Sequence, residues 1–418
     1  MDFTPTERVL QLRDQVEYFF NEKILPRNHE WEERVERQGE VWPDFLMDLR
    51  AEAKALGLWN MALPLLADDE PGTRLSNLEF ASIAEILGRL PWASYVFNCN
   101  VPDVPNMEIL QMFGTPEQKQ RWLHPLLQGD TRSAFAMTEP AVASSDATNI
   151  ATRIERDGDD YVINGRKWFA TNAGNANCAF TIVVGVTDPD AAPARRHSIV
   201  IVPNDTPGFS VVRDIPVFAH TDHVTPHSEV LLEDVRVPVA NLLGDEGAGF
   251  LVGQARLGPA RIHHCMRAIG NCEVLIRLML ERAAGRVAFG QPLQNYATLQ
   301  QWVAESRLEL EQSRLLVQHA AWKLDEQGGK AARKEISLIK IGVARMYQSI
   351  ADRAIQVFGA LGVTTDGPFA AALSLARSFR IYDGPDEVHQ RAVFRLEQAE
   401  IADDENWSRH YLSGPGAG

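Results

Sequence analysis

The apolar pattern changes period twice along this chain, from helical to strand-like and back, and that order limits what it can fold into. Up to residue 133 the spacing is helical: Val9, Leu12, Val16, Phe19 and Phe20 share one face, with Thr6 as the expected N-cap. Leu46, Leu49, Ala53 and Leu56 predict a second helix ending near Gly57, and Phe80, Ile83, Ala84 and Leu87 a third, stopped by Gly88 and Pro91. Thr115-Pro116 reads as a cap followed by Pro at the first helical position. Residues 134–246 read as strands. Thr181–Val184 and Ser198–Val202 are β-branched runs, and Asn164-Gly165 between apolar stretches reads as a hairpin turn. From 247 to 409 long helical patterns return, as in Ile336, Ile339, Val343, Met346 and Ile350, and predict a bundle. Residues 410–418 read as a flexible tail.

This texture predicts an α+β multidomain fold: an N-terminal helical domain (1–133), a middle β-barrel (134–246) and a C-terminal four-helix bundle (247–409). It is not the alternating βα pattern of a dinucleotide-binding sheet. The glycine-rich stretch Gly244–Gly249 lacks the G-x-G-x-x-G order and reads as a linker between barrel and bundle. At 418 residues the chain also exceeds the reach of one ordinary core, about 250–300 residues.

The formal charge of −15 argues against nucleic acid as a partner, since an acidic surface repels phosphate backbones. Cys99, Cys178, Cys265 and Cys272 form no CxxC pair and no disulfide framework, which suits a reducing compartment. No secretory signal and no apolar run of membrane-spanning length is visible, so a cytoplasmic location without integral membrane association is expected. His220, His223 and His227, with Asp222, are too loosely spaced for a zinc pattern and read as a polar loop near the mouth of a ligand site. His263-His264-Cys265 reads as packing at a helix start, and Arg195-Arg196 as a solvated turn.

Four segments carry a resemblance. Phe135-Ala136-Met137-Thr138-Glu139-Pro140, followed by Ala143-Ser144-Ser145-Asp146, resembles the flavin-binding signature of acyl-CoA dehydrogenases. Asn164 to Asn172, with Lys167-Trp168-Phe169-Ala170-Thr171 inside it, resembles the family's second flavin segment. Gln356-Val357-Phe358-Gly359 and Arg380-Ile381-Tyr382-Asp383-Gly384 resemble its last two, all in family order. The Ser-Ser-Asp-Ala-Thr-Asn and Asp-Gly-Pro-Asp-Glu-Val-His variants are most similar to a subgroup that in animals is sometimes fused to a phosphotransferase-like domain.

The resemblance implies FAD, an acyl-CoA substrate, an electron-transfer flavoprotein as partner, and a homodimer or homotetramer. It implies Asp383 as the base that removes an α-proton, where most of the family has glutamate; burial is expected to raise its pKa toward working pH. On the residues alone, Asp383 also suits the cap of the helix beginning near Pro385. Thr138 and Thr171 match positions bonding the flavin ring near N1/O2 and N5. Phe169 matches the flanking aromatic, with Trp168 on the opposite strand face. Phe135 and Met137 belong to the same cofactor segment, and Ser144 matches a serine near the flavin phosphates or the pantetheine. Arg286 and Phe289 match a helix-end motif whose arginine reaches the FAD pyrophosphate across a subunit interface. Gln356 and Gly359 match contacts to the adenine half. Arg261 is expected either to order the catalytic loop or to form an ion pair elsewhere, and Gly384 to lie at the substrate.

The sequence departs from the family at Ser374-Leu375, where an Arg-Asp pair is usual, and at Pro385, where a threonine touches flavin. Chain-length preference therefore stays open. So do three other readings on the same fold: a nitroalkane oxidase, which also uses an aspartate base; a hydroxyacyl-CoA-specific enzyme; and a flavin-bearing assembly protein without turnover.

Overall fold

The computed structural model describes residues 3–218, 220–401 and 411, so most of the expected tail lies outside the described residues. The capping expectations are realised. Thr6 Oγ1 accepts from Val9 N at 3.3 Å at the start of the helix Glu7–Phe19. Thr115 forms a reciprocal capping box with Gln118, with Pro116 at the first helical position. Ser76 and Glu79 form another at the head of the helix Asn77–Gly88, a box the sequence reading did not name.

Seven strands make one curled sheet: β1 (Arg132–Ala136), β2 (Arg153–Asp157), β3 (Asp160–Thr171), β4 (Cys178–Val186), β5 (His197–Pro203), β6 (Phe209–Asp214) and β7 (His227–Pro238). The order is β1-β4-β2-β3-β7-β6, with β5 also on β4. β1 runs parallel to β4, while β2–β3, β3–β7, β4–β5 and β6–β7 are antiparallel. Ile154, Ile163, Val183, Val200, Val230 and Leu232 fill a core of their own.

Asn164-Gly165 is not the turn its composition suggests. β3 runs straight through it, and the register against β7 shifts there. The cause lies across the sheet. A Cβ on Gly165 would sit 2.4 Å from Thr152 Oγ1, so only glycine lets β2 and β3 approach. Asn164 meanwhile exchanges bonds with Asp234, donating at 3.0 Å and accepting from its N–H at 2.8 Å.

Four helices of the C-terminal part matter for the site: Gly249–Gly285, Ala297–Ala331, Arg333–Phe358 and Asp386–Ile401. The first crosses Asn77–Gly88 at backbone distance. A Cβ on Gly270 would lie 1.9 Å from Glu85 O, and one on Gly88 would lie 2.2 Å from Arg267 O. Two helices can pack so closely only where both lack side chains at the crossing. Asp325 from the bundle then accepts from Asn77 N and Leu78 N at 3.0 and 2.8 Å, satisfying two orphan donors of the N-terminal helix. The crossing fixes Arg256, Arg261, His264 and Arg267 on the first bundle helix relative to the N-terminal helices and the sheet.

Candidate active site

Asp383 stands in a tight turn between the helices Phe369–Phe379 and Asp386–Ile401, at φ +55°, with Gly384 following at +101°. An aspartate tolerates this left-handed geometry better than most residues, yet something must hold it there. Side chains from three helices do. Arg261 Nε donates to Asp383 O at 2.8 Å, and the ring of His389 lies 3.2 Å from the same oxygen. Lys340 Nζ donates to Phe379 O at 2.7 Å and Tyr382 O at 2.9 Å, lying over the Phe379 ring at 3.9 Å. Of the two roles its sequence left open, Arg261 makes the contact to the turn.

The Asp383 carboxyl does not cap the following helix; the Asp386 N–H bonds Arg380 O at 3.2 Å instead. Its Oδ2 lies 3.4 Å from His264 Nε2, with about a fifth of each side chain exposed, at 19% and 17%. The expected upward pKa shift is not found. Burial raises it, but His264, Lys340, Arg261 and Arg256 together outweigh burial and hold the carboxyl below the ordinary aspartate range. The free chain therefore presents an ionised carboxylate at neutral pH.

The sheet supplies the other wall. Arg256, five residues before Arg261, stacks over the Phe135 ring at 4.0 Å and donates to Asn106 Oδ1 at 3.0 Å. Phe135 is therefore packed between sheet and bundle. Met137 lines an apolar seam with Ile150, Val184, Phe250 and Leu257, while its carbonyl accepts from the buried Lys167 ammonium at 2.9 Å. Thr138 O accepts from Trp168 N at 3.0 Å, tying the first flavin-like segment to the second. Ser144 Oγ accepts from Glu139 N at 2.9 Å and closes its own loop.

At Trp168-Phe169 the expected strand alternation fails, because β3 bulges between Lys167 and Ala170. Phe169 turns to φ +49° and is 41% exposed, its ring edge-on to Trp168. The Trp168 Nε1 donor is buried without a partner among the described residues. Thr171 Oγ1 lies 2.9 Å from His227 Nδ1. The three loop histidines diverge: His220 pairs with Glu36 at 3.2 Å, and the His223 ring faces Gly39, where an added Cβ would lie 3.5 Å from it.

Arg286, Phe289, Gln356 and Gly359 are elsewhere. Arg282 stacks over Phe358 at 5.4 Å, so the C-terminal ends of Gly249–Gly285 and Arg333–Phe358 sit together. Phe289 there is wholly exposed. At 1.5 Å per residue, Gln356 lies about 24 Å along its helix from Lys340, and Arg286 about 37 Å from Arg261. One chain thus carries two separate groups of signature residues.

On the sequence alone Lys340 has no role, His264 reads as helix packing, and His389 shows only as the last residue of the Asp-Gly-Pro-Asp-Glu-Val-His variant. Each occupies a place where helical spacing calls for a core residue, and only the turn they face reveals their use.

Models of acyl-CoA dehydrogenase N-terminal, middle and C-terminal domains match residues 6–130, 134–235 and 247–396. The chain belongs to the acyl-CoA dehydrogenase family. It is 47% identical to "Probable acyl-CoA dehydrogenase FadE2" of Mycobacterium tuberculosis, covering 95% of this chain and 97% of that protein. It is 46% identical to acyl-CoA dehydrogenase family member 11 of Gallus gallus, covering 92% of this chain but only 49% of that longer protein. Among solved structures, butyryl-CoA dehydrogenase of Megasphaera elsdenii superposes with a TM-score of 0.81 at 26% identity, over 95% of this chain and 100% of that one. A Mycobacterium abscessus structure superposes at 0.91 with 44% identity, over 95% and 100%. The four cysteines are free and buried, and among the described residues no helix is long and apolar enough to cross a membrane.

Proposed function

We propose that this family member is an FAD-dependent dehydrogenase of acyl-CoA thioesters that removes the α-proton with Asp383. The observation that carries the reading is the turn itself. A carboxylate one methylene shorter than glutamate can serve only if its backbone is placed for it, and Arg261, His389 and Lys340 from three helices fix that backbone. An anionic Asp383 accepts the α-proton on a carboxylate oxygen. Positive charge from Arg256, Arg261 and Lys340 keeps it ionised until substrate arrives.

The residues fit FAD. The Trp168 Nε1 donor, without a partner among the described residues, the exposed Phe169 ring and the Thr171–His227 pair are neighbours, with Thr138 in the adjoining segment. These residues, with Phe135 and Met137, would hold the ring end and Ser144 the flavin phosphates or the pantetheine, and the cofactor when bound supplies the acceptor for the β-hydride. Arg286, Phe289, Gln356 and Gly359 lie too far along the bundle to join the same end of it. They suit the pyrophosphate and adenine half of a cofactor bound by a second copy, which supports a homodimer or homotetramer. Gly384 places the backbone next to the base where a thioester carbonyl would lie. The partner this reading implies is an electron-transfer flavoprotein.

Anaerobic titration of the FAD-loaded protein with acyl-CoAs of graded length tests this reading. Bleaching by one class is the expected result, with Asp383→Asn retaining FAD and showing none. Full bleaching in Asp383→Asn would remove Asp383 from the mechanism. A flavin inert to every thioester but reduced by a nitroalkane would replace the substrate class.

A further inference from the structure

His264 lies three residues beyond Arg261 on the same helix, next to His263, yet the two rings differ in use. His263 packs edge-on to Phe80 with centroids 5.1 Å apart. His264 faces the Asp383 turn, its ring 5.1 Å from Tyr382 and 6.2 Å from Phe379. Its Nε2 is 3.4 Å from Asp383 Oδ2. On its other edge, Arg267 Nη2 lies 3.2 Å from His264 Nδ1, and Arg267 Nη1 is anchored on Cys99 O at 3.3 Å. A guanidinium has only donors, so Nδ1 must accept. The ring then carries its proton on Nε2, the nitrogen that faces the carboxylate.

We infer that His264 is a positioning residue for the base, holding a neutral N–H toward Asp383 Oδ2 and leaving Oδ1 to take the substrate proton. The inference rests on the reading of Asp383 as base. An aspartate has only two side-chain torsions, so once its backbone is clamped, fixing one oxygen fixes the other. At 3.4 Å the two atoms are in contact without the alignment of a formed hydrogen bond, which suits a free enzyme, because catalytic hydrogen bonds often tighten only when substrate binds.

The surroundings keep the ring uncharged. Burial and Arg267 push its pKa down to about 3, against the opposing pull of Asp383. The titratable and charged groups around it are His263 and Arg267 on its own helix, Lys340 across the bundle, and Tyr382 and Asp383 on the turn. A neutral donor attracts the ionised carboxylate without the competing ion pair that an imidazolium would form.

Two substitutions separate donor from ring. His264→Phe keeps the aromatic packing and removes the N–H; His264→Gln keeps a donor near the Nε2 position. With FAD content unchanged, the Phe variant is expected to lose about tenfold in kcat. The acid limb of its kcat/KM profile moves up by about one pH unit, since a bond to the ionised form is lost. The Gln variant recovers both to within about threefold. A Phe variant with unchanged kcat and acid limb overturns the assignment. So does a Gln variant that folds and binds FAD but behaves like Phe. Independently of any variant, 15N-histidine spectra of the wild-type holoenzyme should show His264 as the Nε2–H tautomer at neutral pH, and an Nδ1–H tautomer overturns it. Asp383→Asn separates this from the parent reading. If that variant is inert while His264→Phe is unaffected, only the role of His264 fails; if it is fully active, both fail.

Discussion

Arg261 Nε donates to the backbone carbonyl of Asp383 across 2.8 Å, although 122 positions separate the two residues. The contact joins the first bundle helix to the turn bearing the carboxylate. It acts on the backbone, so it positions the base as well as lowering its pKa by proximity. Arg261→Met is therefore expected to lower kcat/KM by about ten- to a hundredfold while FAD content stays unchanged. His389 remains on the same oxygen, so the turn should loosen rather than unfold. A kcat/KM within about twofold of wild type would show that His389 and Lys340 suffice.

Gly384 tests the same turn from its other side. Its φ of +101° is a region L side chains rarely adopt, and a Cβ there would lie 2.7 Å from His389 Nε2. Gly384→Ala must either change the backbone angle or displace the imidazole that holds Asp383 O. Substrate-driven flavin reduction should slow at least about tenfold, with a loss of a few degrees in Tm. Rapid-mixing absorbance and differential scanning fluorimetry read the two effects separately. A variant that reduces at the normal rate would mean the turn can relax without moving the carboxyl.

Much of the architecture was legible because period and caps are local. Val9, Val16 and Phe19 share a buried face, and Thr6 and Thr115 cap where the sequence places them. Asn164-Gly165 misled because the same dipeptide suits a turn or a bulge, and only Thr152, a neighbour across the sheet, decides between them. Asp383 could be found from its motif. Its surroundings could not: Lys340 sits within the apolar series Ile336, Ile339, Val343, and nothing local tells a buried cation that binds two carbonyls from a surface lysine. The pKa direction was misread for the same reason, since it depends on cations from distant helices.

Acid stability should reflect the buried histidines. Burial pushes His263 and His264 to about 3 and His389 to about 4. Unfolded, each titrates near about 6.5. Below that value the unfolded chain binds protons the native chain refuses, so stability is complete above about 6.5 and falls as pH drops toward 4. In a Glu108→Gln background, which removes the opposing trend of that carboxyl, Tm measured from pH 8 downward should hold until about 6.5 and then decline. His263→Leu should flatten part of that slope, because His263 is fully buried and its Nε2 has no partner among the described residues. A Tm that holds level from about pH 6.5 to 5 in that background would mean these rings are protonated in the native state.

Glu108 should do the opposite. It lies buried on the helix Asp103–Phe113 with Oε2 unpartnered among the described residues, and burial raises its pKa to about 8 despite the nearby Arg256. In the native chain it keeps its proton at neutral pH, whereas an unfolded glutamate ionises near about 4.3. Between those values the native state binds the extra proton, so this group costs stability progressively as pH rises and the cost levels off above about 8. Glu108→Gln has the same shape and cannot ionise. Its Tm should match wild type near pH 5 and exceed it by a few degrees near pH 9, the gap widening in between. A gap that does not change with pH would place an ionised Glu108 beside Arg256 and make the two a buried ion pair. In that case the amide, leaving Arg256 without its counter-charge, should destabilise at every pH.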